Sequence, residues 1–549
     1  MEEEIDVDDR RDVVIEQKPG MLSNAPWWMV SVGIHAVLIL GATLVAIERL
    51  VALDDGGTVV NVIGPAAPVI QEIERKRDVF TRAGLPKDDQ EQVRSDEPAI
   101  FFPQAKESDH NESDDNEEYR KMKGDSEKFL SFIKGDAGGI RGKLANSKSQ
   151  GVYDTMGVGG GSGSSGRFGG RFGGHENLVA KGGGGEATES AVTAALRWLA
   201  RHQNPDGGWG AASFQGQCLS GRCAGVGEAD YDVGVTGLSL LAFLGAGYSQ
   251  LSRDVQEDPA FPGKPMRFGE VVKKGLQYLL AHQDPEGCLG ERGMKYMYNH
   301  TVATLALSEA YGMTASAPLK EPAQKAVDFV VASQNPGKAW RYSAKCGDND
   351  TSVSGWAIMA LKSAELSDLS FPHAAYEGAM AWLNESSDAS GGYPRTGYNA
   401  KGTGKVYVPG KNEQFDHHES MSAVSVMSRI FMQKKRTNEL NAVNLLVSDL
   451  PEWKPSKIDF YYWYYSTLAL FQFDGPEGPM WRKWNEPMKN AIVPSQHTRK
   501  DGCRNGSWDS DQDRWGAEGG RVYAVAINAL TLEAYYRYPN VFTGGTKKQ

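Results

Sequence analysis

Eight polar residues stand at or beside the starts of six apolar helical segments, and their types span acid, base and metal chemistry. Aligned on the first core residue of each segment (Leu238, Leu305, Trp356, Val424, Leu468 and Ile527), the residue six positions earlier is Asp232, Asn299, Asp350, His418, Tyr462 and Arg521 in turn. His300 and Glu419 stand next to that row. A carboxylate or imidazole can move a proton, and an imidazole can also bind a metal. Asp232, Asp350 and His418 are therefore the candidate catalytic groups, and Asn299, His300, Glu419, Tyr462, Arg521 and Trp356 the candidate ligand-binding ones. A metal held by His300, His418 and one Asp is a further reading. Helix capping is the structural alternative; it suits Asp232, Asn299 and Asp350 and accounts poorly for His418, Tyr462 and Arg521.

These residues gather only if the helices that carry them are arranged in a ring. From Thr188 onward, amphipathic segments alternate with segments apolar on nearly every side, as in ESAVTAALRWLARH (Glu189 to His202) followed by DVGVTGLSLLAFL (Asp232 to Leu244). The first kind covers a core with one face and the second is buried all round. The outer segments of the next copies begin at Val271, Glu321, Tyr376, Leu440 and Pro487, and their buried partners at His300, Asp350, His418, Phe460 and Arg521. Repeats of this length cannot bury their faces alone, so they stack or close. Six copies with one all-round apolar helix each predict six inner helices enclosed by six outer ones; an open superhelix would need polar capping repeats. The run Tyr461 to Tyr465 (YYWYY) points partly inward at helical spacing and offers aromatic faces to a ligand, or packs as core.

The rest of the chain reads as anchor and tether. Residues 1–24 are acidic and read as a disordered cytoplasmic tail, and residues 25–52 contain an apolar run from Trp27 to Ile47. At about 1.5 Å per residue that run spans the ~30 Å hydrocarbon core, which predicts one transmembrane helix. Arg10, Arg11 and Lys18 precede it and Arg49 follows, which puts the N-terminus inside the cell and the body outside. Residues 53–187 are charged and then glycine-rich, the composition of a flexible tether; within them RFGGRFGG reads as solvated linker. Residues 188–538 form the repeat domain and 539–549 a disordered tail. A formal charge of -11 and the absence of a phosphate-cradling glycine motif argue against nucleic acid as a partner. The five cysteines include no CxxC pair, and Cys218 and Cys223 either close a small disulfide loop or stay free.

The turns between paired segments carry a family resemblance. Gln203 to Trp209 (QNPDGGW), Gln283 to Leu289, Gln334 to Trp340, Gly391 to Tyr393 and Gly506 to Trp508 resemble the Gln-x-x-x-Gly-x-Trp turns of the squalene cyclase and prenyltransferase superfamily. The resemblance covers about 188–538 and implies an all-α fold, an α/α toroid of six helix-pair repeats. The chain is most similar to membrane-anchored bacterial prenyltransferase/squalene-oxidase repeat proteins, for which the family implies no settled reaction. The turn residues themselves read as structural: Gln bonds backbone at a helix end, Gly permits the bend and Trp packs over it.

Family cyclases protonate an alkene with the central acid of Asp-x-Asp-Asp-Thr. Here the corresponding text is GDNDT, which puts Asn349 at the central acid and leaves Asp350, with Asp348 as a substitute only if the backbone shifts. Protein prenyltransferases hold zinc with Asp-x-Cys at an inner-helix start, whereas Asp501 to Cys503 lies in the turn before the sixth inner helix. The combined expectation is a single-pass toroid in the inner membrane, its domain periplasmic, binding an isoprenoid, lipid or other apolar ligand. Catalysis, cofactor and metal content are left open, and squalene cyclisation is disfavoured. The alternatives are a non-catalytic envelope scaffold or protein-binding module, and a polysaccharide-active enzyme, whose carboxylate pair about 5 to 9.5 Å apart would come from Asp232, Asp350 and Glu419.

Overall fold

The turns that carry a glutamine are small hydrogen-bonded devices, each fastening one helix pair to its neighbour. In the computed structural model, the Gln203 side-chain amide donates both to Gly207 O (2.7 Å) within its own turn and to Val271 O (2.8 Å) in the following outer helix. Gln283 does the same to Gly287 O and Pro322 O, and Gln334 to Lys338 O and Ala375 O. The turn tryptophans reach back: Trp209, Trp340 and Trp508 donate their indole N–H to Leu199, Val330 and Ile492 carbonyls near the ends of their own outer helices. The tryptophans thereby satisfy carbonyls in the last turn of a helix, which the helix itself leaves unpaired, whereas the glutamines bridge a turn carbonyl to an early carbonyl of the next outer helix. Glycine is required where the turn meets its neighbour: Gly207 has φ +91°, and a Cβ there would lie 2.4 Å from Lys274 O.

The structure describes Phe168, Arg171, residues 175–402, 419–538 and 540–542, all within the compact unit Gln90–Gln549. After α1 (His175–Gly182), outer and inner helices alternate: α2 (Glu186–Arg201) with α3 (Asp232–Gly245), α4 (Phe268–Ala281) with α5 (Tyr296–Thr314), and α6 (Ala317–Ser333) with α7 (Thr351–Leu366). The series continues with α8 (Ala374–Ser386) and α9 (Ser420–Gln433), α10 (Val443–Leu446) and α11 (Phe460–Asp474), and α12 (Pro479–Ile492) and α13 (Gly516–Leu532), followed by α14 (Ala534–Arg537). α10 is short and extends a 3-10 turn, Asn438–Ala442, so the fifth outer element is the degenerate one. Two short antiparallel hairpins lie in the loops, β1 (Val255–Gln256) with β2 (Met266–Arg267) and β3 (Ser387–Asp388) with β4 (Arg395–Thr396).

Each inner helix packs on the next, and α13 returns against α3, so the six form a closed ring. Burial follows the expected division: Thr351 to Ala364 of α7 are buried without exception, whereas α4 buries Val272, Leu276 and Leu279 on one face. The outer helices α6 and α12 begin before the prolines expected near their starts, carrying Pro322 and Pro487 inside. The open superhelix is thereby excluded for the described residues.

The tether expected over 53–187 is structured at its C-terminal end. Phe168 and Arg171 of the RFGGRFGG stretch are buried, and Arg171 reaches Glu309 (2.8 Å) and Leu244 O on inner helices and Arg537 O at the end of α14. Composition suggests a linker because glycine raises the ordering cost, but one buried guanidinium held by a carboxylate and two carbonyls offsets it locally. The tail 1–24, the span predicted at 25–52, the remainder of the tether and 543–549 lie outside the described residues. Among the described residues no helix is long and apolar enough to cross a membrane.

Candidate functional site

The first turns of the inner helices converge on a cavity of about 180 Å³ at one end of the ring. Every inner helix contributes to its wall. Gly234, Val235 and Leu238 come from α3, and Tyr298, Asn299 and Val302 from α5. Ser352 and Trp356 come from α7, Met421 from α9, Tyr461 from α11, and Gly519 and Tyr523 from α13. Loop residues Tyr231, Tyr342, Tyr398 and Trp515 complete the aromatic rim, with Lys295 and Glu518 as its charged members.

The wall is cross-linked across the ring. Tyr298 Oη donates to Ser352 Oγ (2.9 Å), and Ser352 Oγ pairs with Tyr461 Oη (2.8 Å), linking α5, α7 and α11. Trp356 packs edge-on to Tyr465 (centroids 5.4 Å apart) and stacks on Tyr464 (5.9 Å), so aromatic rings fill the lumen beneath the cavity. Among the described residues the Tyr523 hydroxyl is buried without a hydrogen-bond partner on this wall. An unpaired buried hydroxyl costs about 1–3 kcal/mol, and a ligand oxygen would relieve it.

The structure treats the expected site residues differently. Asn299 and Trp356 are on the wall; Asn299 Oδ1 also accepts from Gly234 N (3.0 Å) and its amide donates to Asp230 O (2.6 Å). Asp350 caps α7 through Oδ1, which accepts from Val353 N (2.7 Å), and lies just behind Tyr342 and Tyr398. Its other oxygen is 4.0 Å from Arg341 Nε, and burial pushes the carboxyl up to about 7. Asp232 accepts from Ala211 N (2.8 Å), with burial raising it to about 6. Glu419 pairs with Arg395 (2.6 Å) and accepts from Ser422 Oγ. None of these three carboxylates lines the cavity.

Tyr462, Arg521 and His300 face away from it. The Tyr462 hydroxyl donates to Leu446 O (2.8 Å) and Asp449 O (3.1 Å), tying α11 outward to α10. Arg521 is spent on Ala224 O, Ser507 Oγ, Trp508 O and Asp509, all in turns. His300 is fully buried against Phe329; its Nδ1 accepts from Leu289 N (3.0 Å), and burial lowers it to about 3, so it is neutral. His418 lies outside the described residues. The metal trio of His300, His418 and an Asp thus has one imidazole already engaged. Tyr461, of the aromatic run read as pointing partly inward, is on the wall, and the residues that sequence reasoning missed are Tyr298, Tyr523 and the loop pair Tyr342 and Tyr398, whose hydroxyls meet at 2.5 Å.

The GDNDT stretch is a turn fastening. Asn349 Oδ1 accepts from Ala339 N (2.8 Å) and Asn335 Nδ2 (3.1 Å), and Thr351 Oγ1 donates to Gly397 O (2.7 Å). Asp348 is largely exposed beside Arg341. The squalene-hopene cyclase C-terminal domain family model matches residues 264–418, which hold the second and third repeats and the outer helix of the fourth. Over those residues the chain is similar to members of the squalene cyclase and prenyltransferase superfamily. This squalene cyclase-like chain is matched by none of the curated proteins. A solved structure titled as a novel alpha-amylase from Clostridium perfringens is similar over 63% of this chain and 98% of its own, at 9% identity and a TM-score of 0.40, and carries no weight for function.

Proposed function

We propose that this squalene cyclase-like toroid binds an isoprenoid or other lipid with one polar end, and that the aromatic cavity at the inner-helix starts is the binding site. The observation that carries this reading is the wall itself: six helices each supply a residue, most of the contacting surface is aromatic or aliphatic, and the buried Tyr523 hydroxyl has no hydrogen-bond partner among the described residues. Apolar pockets with a few convergent polar groups are the usual form of a small-molecule site. The position that holds the central acid in family cyclases is Asn349, engaged in its turn, and this favours binding over cyclisation. The reading includes tethering by the apolar run Trp27 to Ile47 with the toroid on the periplasmic side.

A scaffold would be favoured by an end filled with side chains, and the cavity weighs against it. A polysaccharide-active enzyme would need two carboxylates across a cleft, and Asp232, Asp350 and Glu419 are each engaged by protein partners off the wall. The test is mass spectrometry of lipid extracted from the full chain purified in detergent, with geranylgeraniol titrated against tryptophan fluorescence. Val302→Phe narrows the cavity without touching a hydrogen bond and is expected to lower geranylgeraniol affinity at least tenfold with an unchanged circular dichroism spectrum. A protein that yields no isoprenoid or lipid and ignores geranylgeraniol would refute the proposal.

A further inference from the structure

Away from the cavity, four side chains from three separate segments meet at one point. His202 ends the first outer helix, Cys218 and Cys223 lie in the loop after the first turn, and Cys503 lies before the sixth inner helix, 301 residues from His202. The local chain is shaped to deliver them. Gly221 takes φ +67° between the first two cysteines, and Gly502 takes φ +60° with ψ -122° immediately before Cys503, breaking its 3-10 turn.

The imidazole is oriented from behind. His202 Nδ1 lies 2.8 Å from Trp198 O, and the ring stacks on the Trp198 indole at 4.0 Å and 19°. That backbone contact takes the Nδ1 proton and leaves the Nε2 lone pair free. Nε2 faces all three sulfurs, at 3.6 Å from Cys218, 3.7 Å from Cys223 and 3.4 Å from Cys503. The four donor atoms all lie within 4.8 Å of one another. A tetrahedron with metal–sulfur bonds of about 2.3 Å and a metal–nitrogen bond of about 2.05 Å has sulfur–nitrogen edges of about 3.6 Å. The observed separations straddle that value. The three thiols are free, so the disulfide open to Cys218 and Cys223 is not formed here. The Cys223 N–H is directed at Cys218 Sγ (3.4 Å), the kind of donor that a metal-bound thiolate accepts. Asp501, whose Asp-x-Cys spacing with Cys503 resembles the prenyltransferase pattern, turns instead to Thr498 N (2.8 Å).

We infer that His202, Cys218, Cys223 and Cys503 form a structural zinc site that clasps the first repeat to the sixth. Three thiolates and one imidazole complete a tetrahedron, so no position is left for substrate, and the soft donor set selects zinc over magnesium or calcium. The clasp sits where the ring closes. This inference stands apart from the lipid-binding proposal, since none of the four residues lines the cavity.

The test uses the full-length protein purified without chelator. Plasma mass spectrometry is expected to find one zinc per chain, and X-ray absorption at the zinc edge to find three sulfurs at about 2.3 Å and one nitrogen at about 2.0–2.1 Å. Cys503→Ser is expected to lower bound zinc at least tenfold, while Cys346→Ser, at an exposed thiol outside the cluster, leaves it at one per chain. Should Cys503→Ser fail to fold, the absorption spectrum of the unaltered protein carries the test. A folded protein without metal, a metal shell of oxygens alone, or a Cys218–Cys223 disulfide in anaerobically prepared protein would overturn the site.

Discussion

Replacing Glu309 by Gln should destabilise the toroid by about 3–5 kcal/mol, the range for removing one partner of a buried ion pair. Glu309 is fully buried at the ring end opposite the cavity wall, and its carboxylate meets Arg171 (2.8 Å), Arg537 (3.4 Å) and the Tyr538 hydroxyl (2.7 Å). Burial alone would raise its pKa, but the two guanidinium groups outweigh it and hold the carboxyl down at about 2, against the usual 4.5. At about 1.36 kcal/mol per tenfold change in acidity, that drop corresponds to roughly 3 kcal/mol, in line with the ion-pair figure. Because the folded value is depressed, this stability is present above pH 4.5 and is lost as pH falls through about 2. Burial raises the nearby Glu533 carboxyl well above its usual value while both guanidinium groups favour its ionised form, so removing the Glu309 charge lets it ionise more readily. Glu309→Gln with Glu533→Gln should therefore cost more than the single change. With roughly 350 residues unfolding at about 2.1 cal/mol/K each, 3–5 kcal/mol is a fall of roughly 4–7 °C in the thermal midpoint at pH 7. Differential scanning calorimetry of both variants checks it, and a midpoint within about 1 °C of the parent for both would refute the reasoning.

Asp350→Asn keeps a good N-cap but removes a carboxyl whose folded pKa is raised to about 7, so stability that the parent loses as pH rises through about 7 should persist in the variant. Thermal midpoints measured from pH 5 to 9 read this as a flatter profile. Gly506→Ala should cost more than about 2 kcal/mol, since φ is +91° and the new Cβ would sit 2.1 Å from Ala194 O; denaturant midpoints report it. Tyr462→Phe should cost about 1–3 kcal/mol through the unpaired Leu446 and Asp449 carbonyls and leave geranylgeraniol binding unchanged, whereas Tyr461→Phe should alter binding more than stability.

The ring of helices was legible because burial writes itself into periodicity: inner segments such as DVGVTGLSLLAFL leave no polar face, and the Gln and Trp of the turns have one structural role each. The site was legible only in its location. Counted from the alignment residues, the wall positions fall seven, four, three and zero places earlier: Tyr231, Gly234, Val235 and Leu238 on the first inner segment, and Tyr461 at seven on the fifth. Those offsets trace one helical stripe. The row at six is turned by about 100° from the row at seven, which sends Tyr462 and Arg521 toward outer turns. Asn299 reaches the wall from the sixth place because it lies beside Tyr298 and Val302 on the same helix. The thiol cluster was half visible, since Cys218 and Cys223 are near neighbours in sequence, but nothing local ties Cys503 or His202 to them.

A closed ring of repeats has one joint that chain continuity does not make, and here that joint is reinforced. Gln496 bonds Gly506 O and Ala191 O (both 2.9 Å), so the sixth turn fastens to the first outer helix just as the first three turns fasten to their successors. Added to it are Arg201 on Asn505 O (2.7 Å), paired with Asp258, Arg521 on Ala224 O (2.6 Å), and the His202 and Cys503 contact. Bringing the ends of so long a segment together carries an entropic cost that grows only slowly with length, so a few well-buried polar contacts suffice to offset it. The cavity wall takes residues from both α3 and α13, the two inner helices that meet at this joint. Any contact that keeps the first and sixth repeats together therefore also holds the ligand wall in register, and loosening the joint should weaken ligand binding before it unfolds the remaining repeats.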